Sequence, residues 1–281
     1  MTGASWNHAQ VIVPPAASLD VQAGAAPMPV RIAGRSHLAY ELHITNFRNV
    51  EVTLAAIDVC RGAPAAASLA SYRDVPLRSA LARIGIPRSD TSDTRVIAAG
   101  GRVVFYVWLG FDAGRAVPAA LHHRLAFSVS GPAGSEEGSV ESGLVTIRHE
   151  QPIVLDAPLR GERWVAVYDP AIAGGHRRAI YAIDGKARIP ARFAIDWIKL
   201  DDDERVPQGN AAARASAPGY GAEVFAVADG VVADVAEGLP EPTVPITLDN
   251  ARGNAVTLDL GGGPVRVLRA PAPRQHQGED R

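Results

Sequence analysis

RVVFYVWLGF, residues 102–111, is the stretch that decides the fold. Eight of its ten positions are β-branched, aromatic or leucine, and glycines bound it on both sides, which predicts a strand and not a helix. Upstream, HLAYELHITNF (37–47) alternates. Leu38, Tyr40, Leu42 and Ile44 fall on one face and His37, Ala39, Glu41 and His43 on the other, the period-two signature of a half-buried strand. Asn46 to Asn49 turn the chain into a second strand, VEVTLAAIDV (50–59). Downstream, RLAFSVSG (124–131) and GLVTIRH (143–149) read as further strands. Residues 61–95 are small, polar and proline-containing, a loop with a short helical turn near Leu77 to Arg83. Strands at this spacing, without a good amphipathic helix, predict an antiparallel sandwich of immunoglobulin-like type over about 28–150, although the paired cysteines of true immunoglobulin domains are missing. His37 and His43 are placed on the outward face, His122 and His123 at the surface before a strand, and Trp108 in the core.

PIVLDAPLRGERW (152–164) reads as the crossing into a second unit, with Trp164 another core candidate. This unit is also β. IYAIDGKARI (180–189) carries an Asp-Gly step between two alternating runs, a short hairpin signal. EVFAVADGVVADV (223–235) repeats that step at Asp229-Gly230, and NARGNAVTLDLGGG (250–263) adds a strand. The expected fold class is all-β, with the second domain over 151–263.

Bulk properties agree. A chain of 281 residues suits two domains. Hydrophobic residues at 47% supply material for a core, and 27 glycines and 21 prolines favour short strands joined by turns. A net charge of −2 carries no nucleic-acid footprint and no attraction to acidic lipid. No stretch is apolar enough to span a membrane. Residues 1–27, rich in alanine and proline, lack a basic start before an apolar block, so they read as a disordered leader and not a signal peptide. The single cysteine, Cys60, sits in an apolar run and reads as a buried structural thiol. DDDE (201–204) lacks the glycine and bidentate glutamate of a calcium loop and reads as a solvated turn. No serine-hydrolase elbow and no dinucleotide-binding glycine loop follows a strand.

Three blocks carry a resemblance: RFAIDWIKLD (192–201), YGAEVFAVADGVV (220–232) and NAVTLDLGGG (254–263). In this order they resemble the signature blocks of the lysostaphin-type zinc metallopeptidases, peptidase family M twenty-three. Gly221, Val224, Ala226, Asp229, Gly230 and Val232 match the middle block in spacing. The likeness covers roughly 160–263, and the preceding sandwich also looks like a domain found ahead of such peptidases. The resemblance implies a zinc endopeptidase acting on peptidoglycan peptides in the cell envelope or periplasm, an address for which this chain shows no export signal. In the family a His, an Asp and a later His-x-His hold zinc, and the open fourth position takes a water whose pKa the metal lowers. By that resemblance Asp196 matches the Asp ligand. The compact family pattern would put the first His at Arg192, which cannot ligate zinc, so His176 in GGHRR is the candidate, with the 180–189 hairpin inserted between.

No His-x-His follows Gly263 within these residues, and the one later histidine is His276 in a polar tail. The expectation is therefore a C-terminally truncated family member with two ligands at most, no stably bound zinc and no complete catalytic set. Residues 264–281 read as a disordered tail. Their allowed codons, read one base later, permit RFVFYAHLHPGSIKVKT, the kind of segment with which the family continues, and a one-base shift near Gly263 is the expected cause. Such a fragment would expose apolar rows such as Val224, Phe225, Val227, Val231 and Val232. The alternative function is a non-catalytic envelope protein that binds peptidoglycan or regulates another cell-wall hydrolase. A third is a sandwich binding module with a broken passenger.

Overall fold

The odd-numbered side chains of residues 103–111 point into one core, and the strands around them are arranged so that their own apolar rows meet it. The computed structural model describes residues 19–62, 67–85, 90–131, 134–150, 152–169, 175–206, 218–239, 253–261 and 264–268. The protein is all-β, with one short α-helix and several antiparallel sheets among the described residues. It divides into two units, Met1–Glu150 and Gln151–Arg281.

The first unit contains β1 (Leu19–Ala23), β2 (Val30–Ile32), β3 (Arg35–Asn46), β4 (Val52–Arg61), β5 (Ser68–Arg73), α1 (Asp74–Ala80), β6 (Leu81–Arg83), β7 (Val96–Ile97), β8 (Arg102–Phe111), β9 (Ala120–Gly131) and β10 (Gly134–Thr146). One sheet has the order β1-β3-β8-β6, with β2 paired to β3. The other runs β10-β9-β4-β5, with β7 paired to β4. That is the strand order of an immunoglobulin-like sandwich, with β1, β3, β8 and β6 as A, B, E and D, and β10, β9 and β4 as G, F and C. The core joins Leu38, Tyr40, Leu42 and Ile44 of β3 to Phe105, Val107, Leu125 and Phe127. Leu77, the buried residue of α1, also joins it. Cys60 is a buried thiol, as its apolar run implies, and burial pushes its pKa up.

Several expectations need correction. A disordered leader reaching residue 27 does not hold, since β1 pairs with β3 from Leu19 opposite Asn46 to Ala23 opposite Leu42. Leu19 and Val21 alternate into the core, a two-residue pattern too short to stand out of an alanine-rich segment. Residues 1–18 lie outside the described residues. The 61–95 loop holds two strands and a helix, because β5 completes the edge beside β4. His122 and His123 are buried, not surface residues. β9 begins at Ala120, so the inward odd row Leu121, Leu125, Phe127 and Val129 takes in His123. His37 and His43 are half-buried, and His37 Nδ1 accepts a hydrogen bond from Trp108 Nε1 at 3.0 Å. Trp108 and Trp164 are half-buried and not core residues.

His123 is satisfied where it sits. Its Nδ1 lies 2.8 Å from the Gly143 carbonyl, which only accepts, so Nδ1 carries the proton. Nε2 is then the acceptor for the Tyr40 hydroxyl at 2.7 Å. Gly143 lies within a bulge of β10, between Ser142 and Val145, at φ 70°. A Cβ there would come within 2.9 Å of Val21 Cγ1, so both backbone and space call for glycine. Antibody domains join strands B and F by a disulfide. Here a hydrogen bond joins the corresponding strands, β3 and β9.

β2 and β3 are linked by the two residues Ala33 and Gly34, both at positive φ, the geometry of a type I′ hairpin turn. Ala33, at φ 50°, pays the left-handed penalty of an L-residue without the local hydrogen bonds an asparagine makes. Ala33→Asn is expected to stabilise the first unit by roughly 0.5–1 kcal/mol. A thermal melt of the two chains side by side checks it, and a lowered midpoint contradicts it.

Candidate functional site

The second unit contains β11 (Trp164–Val167), a single 3₁₀ turn at His176–Arg178, β12 (Tyr181–Ile183), β13 (Lys186–Arg188), β14 (Asp196–Lys199), β15 (Val231–Ala236), β16 (Ala255–Asp259) and β17 (Pro264–Leu268). Its strands form three small sheets, β11-β14, β12-β13 and β15-β16-β17. The expected 180–189 hairpin is present. Its Asp184-Gly185 turn has φ 50° and 70°, the I′ geometry that Asp-Gly favours.

The second Asp-Gly step does not make a hairpin. Residues 222–226 are not a strand, and Phe225 N donates to Pro158 O while Asp156 N donates to Val227 O. The segment therefore runs beside 156–158, with the Arg160 guanidinium 4.0 Å above the Phe225 ring. Gly230 is needed for proximity, since a Cβ would stand 2.8 Å from Asp259 O. The tail also differs from its expectation. Residues 264–268 form β17, registered with β16 from Pro264 opposite Asp259 to Leu268 opposite Ala255. Five residues alternating around Arg266 satisfy an open strand edge whatever their origin. Residues 269–281, including His276, lie outside the described residues.

The two residues singled out from the sequence meet. His176 Nε2 lies 2.9 Å from Asp196 Oδ1, across twenty residues of chain. Asp196 opens β14 opposite Val167 of β11, which sets its backbone. Two successive turns, Arg192 N to Ile189 O and Ala194 N to Ala191 O, bring the chain round to it. Tyr168 Oη donates to Arg192 O at 3.3 Å and ties that approach to the strand before it. Arg192, at the compact-pattern position, is half-buried. Both site side chains are open to solvent, His176 40% and Asp196 63% exposed, so the pair itself adds little stability. Arg177, next to His176, is buried, and nothing in its arginine-rich stretch foretold that. Asn254 is buried too, accepting from Leu239 N and donating to Leu239 O, which pins the start of β16.

Zinc bonds of 2.0–2.1 Å at tetrahedral angles separate two donor atoms by about 3.3 Å. The 2.9 Å His176–Asp196 spacing is that of a direct hydrogen bond, about 0.4 Å shorter than two donors on one zinc ion would stand. A zinc centre needs at least three protein donors. Among the described residues no third His, Cys, Asp or Glu joins them. The fit is therefore partial, and no hydrolytic step follows from it. Asp201–Glu204 form an exposed turn, in which Asp201 Oδ1 accepts from the backbone N–H groups of Asp203 and Arg205. No helix among the described residues is long and apolar enough to cross a membrane.

No family model matches the chain, and no curated protein matches it. Among solved structures, a Northeast Structural Genomics Consortium target designated SoR45 aligns with a TM-score of 0.31 and 8% identity, over 52% of this chain and 97% of that one.

Proposed function

We propose that the second unit carries the first part of a lysostaphin-type zinc metallopeptidase site directed at peptidoglycan peptide, with His176 and Asp196 as two of its metal donors. One observation supports this reading above the rest. His176 and Asp196, twenty apart in sequence, bring donor atoms to 2.9 Å on a solvent-open surface. In a complete site the metal would acidify a bound water and polarise the scissile carbonyl. This chain's own contribution is to hold a carboxylate and an imidazole side by side, Asp196 through the β11–β14 pairing and His176 through a one-turn helix. Two donors stand together among the described residues, fewer than a zinc centre needs, so the 281-residue chain is proposed to bind zinc weakly and to cleave nothing by itself.

Calorimetric titration of zinc chloride into the purified chain tests this. The expected result is a dissociation constant weaker than about 1 μM, since structural sites with full ligand sets are far tighter. Asp196→Ala is expected to weaken it at least tenfold further. Tight stoichiometric zinc that survives Asp196→Ala, or digestion of isolated murein, contradicts the proposal.

A further inference from the structure

Cys60 on β4 and His122 on β9 stand directly opposite each other in the ladder of the first unit. Both lie on the face turned away from the core row of Val59 and Leu121, and yet both are buried, Cys60 1% and His122 5% exposed. The Gly62 carbonyl lies 2.8 Å from His122 Nδ1 and can only accept, so Nδ1 carries the proton and Nε2 keeps its lone pair. That Nε2 is buried, with no hydrogen-bond partner among the described residues. A buried acceptor without a partner is costly and calls for a ligand the protein does not itself supply. The arrangement is that of a metal-binding histidine, which almost always donates its other ring N–H to a carbonyl or a carboxylate. Across the ladder, Cys60 Sγ accepts a hydrogen bond from Arg124 Nη2 at 3.8 Å.

We infer that Cys60 Sγ and His122 Nε2 are the two donors of a site for a soft monovalent cation of the copper(I) class, separate from the His176–Asp196 pair. Thiolate and imidazole are donors that copper(I) favours. Directly opposite residues of an antiparallel ladder hold their Cβ atoms about 4.5–5.5 Å apart. Bonds of about 2.3 Å to sulfur and 2.0 Å to nitrogen put the donors of a linear, two-coordinate ion roughly 4 Å apart, within reach of side chains so placed. Zinc is not selected, because it takes four ligands in a tetrahedron and no third His, Cys, Asp or Glu joins this pair among the described residues. On binding, the S–H bond gives its proton to solvent, a sulfur–metal bond forms and no electron is transferred. Burial holds the thiol pKa up, so the proton is present to be displaced. Arg124 lies against the sulfur with its own charge balanced by Asp58 at 3.5 Å and Glu141 at 3.9 Å. Its side chain is 39% exposed, and swinging it aside opens a way in for the ion.

Anaerobic titration of the full chain with copper(I) held by the chelator bicinchoninate is the test. The chain is expected to withdraw about one copper(I) and to release about one proton for it. Cys60→Ala and, separately, His122→Asn are each expected to weaken the uptake at least tenfold with an unchanged circular dichroism spectrum. Asp196→Ala is expected to leave it as it was, and a roughly hundredfold excess of zinc chloride to displace none of the copper. X-ray absorption of the copper-loaded native chain needs no variant and is expected to show one sulfur and one nitrogen neighbour. No copper withdrawn, uptake that survives either substitution, copper bridged by two sulfurs from two chains, or uptake lost in Asp196→Ala overturns the inference.

Discussion

Phe105→Ala is expected to lower the stability of the first unit by about 3–5 kcal/mol. Phe105 is fully buried at the middle of β8. Its register neighbours are Leu42 on β3 and Leu81 on β6, so strands are hydrogen-bonded on both sides of it. Its ring meets Tyr72 edge-on, at 4.9 Å and 86°, across to the second sheet. The cavity left by alanine lies between two paired ladders that cannot slide together, so little of it collapses and the cost falls at the upper part of the usual range. Phe47, 72% exposed, is the control, and Phe47→Ala is expected to change stability by less than about 0.5 kcal/mol. Hydrogen exchange of the β3 and β8 amides under increasing urea reads this unit within the full chain. A loss below about 1 kcal/mol would mean that the sandwich is not organised around β8.

Acid should act through His123 with nearly as large an effect. Burial holds its pKa down, from 6.5 to about 4, and the neighbouring charge of His122 acts the same way, while the Gly143 carbonyl opposes them. In the folded protein the ring stays neutral, because Nδ1 donates to Gly143 and Nε2 accepts from Tyr40. Unfolded, the ring takes a proton below its ordinary pKa. Between the two values the unfolded state binds more protons, so stability falls as pH falls. The contribution is fully present above about pH 6.5, declines through the window down to about pH 4 and then levels off, with an upper limit of about 3 kcal/mol. His123→Gln cannot titrate, so its stability should change less over that window even though it is lower at neutral pH. Parallel pH slopes for the two proteins in urea denaturation between pH 7 and 4.5 would show that another group carries the acid sensitivity.

Much of the first unit was legible because its strands are long and their rows alternate. Val103, Phe105, Val107 and Leu109 on β8, and Leu38 to Ile44 on β3, already point to one buried face. The misses have specific causes. In β4 the inward row passes from Val52 and Leu54 to Ile57 and Val59, because a bulge at residues 54–56 adds a residue and reverses the parity. Nothing in VTLAAIDV marks it. A strand starting at Arg124 leaves His123 outside it, four residues short of the true start at Ala120, and a polar ring in an inward row is acceptable only once Tyr40 and Gly143 are known to meet it. In the second unit, Asp184-Gly185 was readable because type I′ turns demand positive φ, whereas Asp229-Gly230 carried the same letters for another reason, a close approach to Asp259.

The sequence alone determined the all-β class, the antiparallel pairing of the long strands and the identity of the two residues worth watching, His176 and Asp196. Periodicity, turn chemistry and motif spacing are local, and a chain carries them before it folds. Only the tertiary structure decided that those two side chains stand 2.9 Å apart, that residues 19–23 and 264–268 extend sheets, and that His123 lies in the core. Each of these depends on a partner distant in sequence. A hydrogen bond, a strand edge or a buried proton is set by what the folded chain brings beside it.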